Sequence, residues 1–378
     1  MVVLSHGAEL LPKLVGYKLS RHKLGKVPLP IVLTYSVTNK CQSRCKTCNL
    51  WKLYLDKPKL AQKELKIDEI EKIFKSIGHT FFFNISGGEP YLRDDLPAIV
   101  GLACEYLTPK VIHTPTNGLS PEVIEKKTRD ILEIMRKHDS NAPFTIKPSF
   151  DATGSKHDSI RGVKGNFEKV LDTVKRLKGL QKEFNNLQVG LGTVISKFNL
   201  DTIEETADYV KKMDVDSYIN EIAEQRSELF TLGYPITPTP DEYEDAIRIF
   251  SDKIKKEMKG KKRLSRVTNA FRLVYYDLAV SIMREKRQIL PCYAGYTNAH
   301  ISPYGDVWPC CILGYDKSMG SLREFDYDFK KLWNSKQADQ IRAYIKQKNC
   351  HCPMANVAYS NILLSPKKMM KVFKNMLF

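Results

Sequence analysis

Between residues 31 and 222, six short apolar runs alternate with longer stretches whose apolar positions recur every three or four residues. The runs are IVLTYSVT (31–38), TFFFNIS (80–86), KVIHTPT (110–116), FTIKPSFD (144–151), LQVGLGTVI (187–195) and DSYINEI (216–222). IDEIEKIFKSI, PEVIEKKTRDILEIMRKH, NFEKVLDTVKRLKGL and LDTIEETADYVKKM carry the helical spacing between them. Such repeats impose parallel strands, right-handed crossovers and helices on the outside. A closed barrel takes eight units, so the expectation is α/β: an open, partial (β/α)6 TIM-like barrel over 31–230. Ligands in such folds sit at the carboxyl ends of the strands, where the polar motifs of this chain fall.

The rest of the chain follows other patterns. Residues 231–290 hold a Pro-rich loop, TLGYPITPTP, and two helical stretches joined by a basic connector, KIKKEMKGKKRLSR. Residues 291–360 are punctuated by Cys and Gly, as in a small metal-stapled module. An N-terminal segment (1–30) and a basic tail (361–378) read as amphipathic. No run of eighteen apolar residues is present, and MVVLSHGAELL lacks the features of a secretory signal. The expected location is the cytoplasm, where thiols stay reduced. Eight of the nine cysteines fall in two clusters, and clustered thiols in a reduced compartment mean metal. The excess of 60 Lys and Arg over 43 Asp and Glu suits nucleic acid, an anionic membrane or a phosphorylated substrate, or is a Lys-rich solvated surface.

Cys41, Cys45 and Cys48 lie within eight residues on the loop leaving the first predicted strand. Three thiolates can wrap one corner of a cubane and leave one iron open to a cofactor or substrate. A structural zinc site would want a fourth ligand close by, and His22 and His79 lack ligand-like spacing.

C-x-x-x-C-x-x-C after a first strand resembles the signature of the radical SAM superfamily. The resemblance implies a [4Fe–4S] cluster whose open iron binds S-adenosylmethionine (SAM). An external electron donor such as ferredoxin or flavodoxin supplies the electron for cleavage, and the resulting 5′-deoxyadenosyl radical abstracts a hydrogen. The residue before the third cysteine, usually aromatic in the family, is Thr47, so stacking near the adenine passes to other residues, Trp51 among the candidates. Gly87, Gly88, Glu89 and Pro90 resemble the family's GGEP motif, which contacts the SAM amino group. Asn117, Ser149 and Asp151 match, more loosely, polar residues around the ribose, with Ser149 and Asp151 on one side of their strand. Arg161 matches an Arg that pairs with the SAM carboxylate. Asn199 and Glu221 are further candidates.

The segment CYAGYTNAHISPYGDVWPC resembles the opening of the SPASM or twitch module that follows many radical SAM barrels. The resemblance implies one auxiliary [4Fe–4S] cluster on Cys292, Cys310, Cys350 and Cys352, with Cys311 as a spare. A zinc ribbon is the alternative, which iron content decides.

Two substrate classes stay open. Leu10, Leu11, Leu14, Val15 and Tyr17, and Met369, Met370, Val372, Phe373, Met376 and Leu377, lie among lysines at the two ends. Basic amphipathic ends of this kind lie on anionic membranes, unless they simply cover the barrel. The stretch LLPKLVGYKLSRHKLGKVPLPIVLTYSVTNKC also looks like that of radical SAM enzymes acting on hopanoid and archaeal lipid chains. The leading expectation is therefore a membrane-lipid or isoprenoid substrate joined by C–C bond formation, with peripheral contact at the membrane's inner face. The alternative is a ribosomal peptide or protein side chain, as for most SPASM-type enzymes. A nucleic-acid partner is not expected, because GGEP, TNG and the six β–α units leave little room for a zinc-bearing binder. Residues such as Cys311 and Tyr304 are only neighbours of the cavity, and no acid, base or hydrogen donor is assigned.

Overall fold

The computed structural model describes residues 7–258 and 263–377. The first six residues of the N-terminal segment, residues 259–262 of the basic connector and Phe378 of the tail lie outside the described residues. All six expected strands form: β1 (Val32–Ser36), β2 (Phe82–Ser86), β3 (Val111–Thr116), β4 (Phe144–Pro148), β5 (Leu187–Ile195) and β6 (Ser217–Ile222). They pair in parallel in sequence order, with Val32 opposite Phe82 and Gly190 opposite Ser217. Parallel strands are covered on both faces, which explains why Leu33, Phe83, Ile85, Ile112, Ile146 and Val189 are all buried. The outer layer follows helical spacing. In α2 (Ile67–Ile77), Ile70, Ile73, Phe74 and Ile77 face the sheet; in α3 (Pro121–Lys137), Ile124, Thr128, Ile131 and Met135 do so.

The Cys-punctuated region forms the expected C-terminal module, and its strands continue the barrel sheet. Its strands β7 (Asn298–Ile301), β8 (Asp306–Trp308) and β9 (Gly320–Ser321) extend the barrel sheet, giving the order β6-β5-β4-β3-β2-β1-β7-β8-β9. β7 pairs in parallel with β1, Val32 opposite Asn298, and places the second cysteine cluster beside the first strand. Four-residue β7 carries too short a signal to read as part of a barrel; its partner strand decides its role.

The connector and the tail also form one body. Helices α5 (Pro240–Met258), α6 (Arg263–Glu285), α7 (Ala355–Leu363) and α8 (Pro366–Leu377) share a core with Ile195, Ile203 and Ile222 at the β6 side of the barrel. Each amphipathic end is divided. In α1 (Gly7–Arg21), Leu10 and Tyr17 are buried and Leu14 packs beside them, while Leu11 and Val15 are exposed. The Tyr17 hydroxyl donates to the Leu29 carbonyl at 2.6 Å. In α8, Val372 is buried and Met369 and Met376 pack on the core, while Met370, Phe373 and Leu377 are exposed. Much of the apolar surface expected to meet a membrane thus covers the barrel. No described helix is long and apolar enough to cross one.

Candidate active site

Residues 37–49 leave β1 as a loop, and three other segments satisfy its backbone. On one side Gly88 N donates to Thr38 O at 2.7 Å and Glu89 N to Lys40 O at 2.8 Å. On the other, Arg44 N donates to Arg161 O at 3.0 Å and Lys46 N to Ile160 O at 2.9 Å, both at the end of α4 (Gly154–Arg161). Asn49 N reaches Leu229 O, after β6, at 2.9 Å. These approaches explain the glycines. A Cβ on Gly87 would overlap the Thr38 carbonyl, one on Gly88 would lie 2.8 Å from the Asn39 oxygen, and one on Gly162 would overlap the Arg44 carbonyl. The paired glycines admit the cysteine loop itself, not only a ligand.

The loop brings Cys41, Cys45 and Cys48 onto one cavity of about 230 Å³, with Gly87, Gly88, Glu89, Pro90, Asn117, Ser149 and Arg161 in its wall. Burial raises the Cys41 thiol to about 11 and the Cys48 thiol to about 12, and raises Cys45 as well. Among protein groups alone these thiols stay protonated; a coordinated metal deprotonates them. Three soft donors around one space fit an iron–sulfur centre. Among the described residues no three His, Cys, Asp or Glu side chains converge as a single ion requires.

Opposite charges sit around the cavity. Glu89 is buried, and its carboxylate accepts from Asn117 N at 2.6 Å, Thr116 Oγ1 at 2.9 Å and Tyr91 N at 3.1 Å. Burial pushes its pKa up to about 7, against the pull of those donors. Burial disfavours charge on Arg161, but Cys45, Asp151 and Cys41 outweigh it and hold its pKa above the ordinary value. Asn117 Nδ2 donates to Gln42 Oε1 at 3.2 Å and lies 3.9 Å from the Cys41 sulfur. Thr47 and Trp51 also line the cavity.

Asp151 departs from expectation. It is buried behind the cavity wall, where Oδ2 accepts from Arg161 Nη1 at 3.2 Å and Oδ1 from Val194 N at 2.9 Å. It orients Arg161 instead of facing a ribose. Asn199 is a buried cross-link, donating to the Asp151 and Val194 carbonyls at 2.8 and 3.0 Å. Alternation along β4 puts Ser149 and Asp151 on one side, yet the chain has left the strand at Pro148 and only Ser149 reaches the cavity.

Glu221 lies in the far wall, together with Glu224, Arg226 and Met354, which the sequence reading missed. For Glu224 and Arg226 the signal available was their place just after β6, at the carboxyl end of a strand; Met354 is brought in by the fold, from two residues after Cys352. Burial raises Glu224 to about 7, partly offset by Arg226. Arg226 Nη1 donates to Glu228 at 3.2 Å, and its guanidinium also meets the Cys311 thiol. Cys292, Cys310, Cys350 and Cys352 line a second cavity, and Met354 stands in the walls of both. Cys311 is absent from that lining and turns to Arg226. Tyr304 is absent from the first cavity; its hydroxyl bonds to Tyr54 at 3.1 Å and Asn39 at 3.2 Å.

A partial barrel with three thiols over its strand ends, joined to a four-thiol cavity, matches two known families in order. Residues 35–210 match the Radical SAM superfamily, and residues 292–353 match SPASM, an iron–sulfur cluster-binding domain. The chain is a radical SAM enzyme with a C-terminal SPASM domain; it uses SAM and a [4Fe–4S] cluster, with auxiliary iron–sulfur binding in the second domain. It is 23% identical over 356 residues to the antilisterial bacteriocin subtilosin biosynthesis protein AlbA of Bacillus subtilis, covering 89% of this chain and 69% of AlbA. It is 24% identical over 327 residues to the AdoMet-dependent heme synthase of Methanosarcina barkeri, covering 81% of this chain and 82% of that protein. Among solved structures, Streptococcus suis SuiB bound to its precursor peptide SuiA superposes with a TM-score of 0.58 at 19% identity. That match covers 86% of this chain and 69% of SuiB, and shows a shared fold.

Proposed function

We propose that this enzyme is a radical maturase that modifies a side chain of a ribosomal peptide or protein. The observation that carries the reading is the likeness to AlbA across both domains and 89% of the chain. SuiB, of the same fold, binds a precursor peptide. In this reading Cys41, Cys45 and Cys48 hold the [4Fe–4S] cluster, and Cys292, Cys310, Cys350 and Cys352 hold one auxiliary cluster. When bound, SAM on the reduced cluster supplies a 5′-deoxyadenosyl radical, the electron coming from a donor such as ferredoxin or flavodoxin. Glu89 and Pro90, with Gly87 and Gly88, form the end of the cavity suited to an ammonium group, and Arg161 the end suited to a carboxylate. Asn117 and Ser149 supply polar contacts between them, and Asp151 fixes the Arg161 fork. Thr47, Trp51 and the surrounding apolar wall limit water around the reacting centre.

The lipid reading has no support among these relatives, and packing of Leu10, Tyr17, Met369 and Val372 removes much of its basis. A second reading, a tetrapyrrole substrate, rests on the heme synthase likeness. The test incubates reconstituted enzyme with SAM and dithionite plus, in separate arms, a low-mass peptide extract of the native host, a tetrapyrrole or polar lipid. The peptide arm is expected to raise 5′-deoxyadenosine above the substrate-free level and to yield a mass-shifted peptide. Stimulation by tetrapyrrole or lipid alone would overturn the reading.

The auxiliary ligand set makes its own prediction. Cys352→Ser is expected to lose one cluster's iron, while Cys311→Ser keeps the full iron and sulfide content of the wild type. Metal analysis and EPR of the reduced proteins check both, and iron loss in the Cys311 variant would make that residue a ligand.

A further inference from the structure

Beside the cavity, the loop leaving β6 ends in an exposed aromatic shelf. Leu229 is part of the cavity wall, and Phe230, next in the chain, is 41% exposed. Phe230 has a φ of 53°, left-handed backbone that is an outlier for a bulky side chain. Such conformations persist where the surroundings over-determine them, and they gather at functional sites. Here Asn49, the residue after Cys48, supplies the restraint. Its backbone N–H donates to Leu229 O at 2.9 Å and its side-chain amide to Phe230 O at 2.8 Å.

The ring is held from the other side as well. Phe230 stacks on Tyr315, centroids 5.8 Å apart and planes 26° from parallel. Tyr315 in turn meets the buried Trp308 edge-on at 4.7 Å, and its hydroxyl accepts from Asn39 Nδ2 at 3.4 Å. The cysteine loop, the loop after β6 and the segment after β8 thus all grip one half-exposed aromatic pair. Further along the same loop, Leu232 and Tyr234 are also exposed, at 60% and 44%. A rigid aromatic surface has little conformational freedom left to lose on contact, which favours it as a docking anchor. Next to Asn39 on the cysteine loop, Lys40 is exposed and forms no ion pair with the described residues.

We propose that this shelf docks the part of the peptide substrate that flanks the modified residue. It takes an aromatic or branched apolar side chain onto Phe230 and Tyr315, with an acidic residue beside it toward Lys40. The inference rests on the peptide reading of the function. A ligand that enters the cavity and also covers a surface outside it must be extended, and a peptide advances roughly 3.3 Å per residue. The exposed Lys40 ammonium favours an acidic neighbour in that peptide.

The test pans SAM-loaded, cluster-reconstituted enzyme against a displayed library of random dodecapeptides, then measures the best synthetic peptide by fluorescence anisotropy. Wild type is expected to enrich peptides that pair an aromatic or branched apolar residue with nearby Asp or Glu. Phe230→Gly, which tolerates the left-handed backbone, and Tyr315→Ala are each expected to weaken binding by about tenfold or more. Tyr315→Phe should bind as the wild type does. Lys40→Glu, at an exposed residue, should weaken binding and flatten its salt dependence, and it decides the matter if a ring truncation does not fold. Unchanged binding in all of these variants overturns the shelf and leaves the peptide reading intact. Unchanged peptide binding with slower reduction by flavodoxin also overturns it, by assigning the surface to the electron donor. A wild type that enriches no peptide overturns the peptide reading itself.

Discussion

Alanine in place of Cys45 is expected to cut 5′-deoxyadenosine formation by more than the ~100-fold that losing an outer-shell partner of a metal ligand costs. Cys45 is the middle of the three thiols on the cavity, and the other two cannot hold a cubane corner without it. The fold should survive, because the loop is fastened by backbone hydrogen bonds from Gly88, Glu89, Arg44, Lys46 and Asn49 and not by the thiol. The expected protein therefore keeps its secondary structure and the auxiliary cluster's iron, while losing the iron of the first site. Anaerobic iron and sulfide counts, circular dichroism and chromatography of the nucleoside product check it together. A variant that still cleaves SAM at the wild-type rate would remove Cys45 from the ligand set.

Gly88→Ala is expected to be strongly damaging although it adds a single methyl group. Its backbone is not left-handed, so the cost comes from space alone: the new methyl group would lie 2.8 Å from the Asn39 oxygen and closer still to that of Lys40. Neither is the end of a flexible side chain. The cysteine loop must move away, stretching the bonds from Gly88 N to Thr38 O and from Glu89 N to Lys40 O. Overpacking of this sort costs about 1–3 kcal/mol, and the displaced loop carries the thiols with it. The expected result is a lower midpoint in thermal unfolding and weaker SAM binding by equilibrium dialysis. Gly179→Ala serves as the contrast, since nothing lies within 4 Å of its added Cβ. It sits in the helix Asn166–Leu180 and should be neutral or stabilising by about 0.5–1 kcal/mol. Equal effects at the two positions would count against the packing of the loop on GGEP.

Much of this was legible because it depends on short stretches of chain. Period-two and period-3.6 patterns in parallel β–α units need no long-range information, and the six strands lie where the apolar runs do. C-x-x-x-C-x-x-C was likewise readable as a set of cluster-type donors, since donor type and spacing limit what it can hold, whereas GGEP gained its role only through its resemblance to the family's motif. Arg161 lines the cavity, while Asp151, expected among the polar residues around the ribose, holds the guanidinium from behind. Strand alternation gives a side, not a depth, and the strand had ended.

What stayed hidden depends on residues far apart. Gly87 and Gly88 look like a ligand-binding turn until β1 and β2 bring Thr38 and Lys40 against them. The second cysteine module looks independent of the barrel until β7 pairs with β1, some 260 residues away in sequence, and continues the sheet into it. Amphipathic ends look like membrane anchors until a core supplies the surface that covers Tyr17 and Val372. Local patterning therefore settled the barrel and its reactive thiols, because periodicity and donor spacing are properties of contiguous chain. Tertiary structure decided what stands around those thiols, because neighbours across a sheet are set by packing and not by position along the chain.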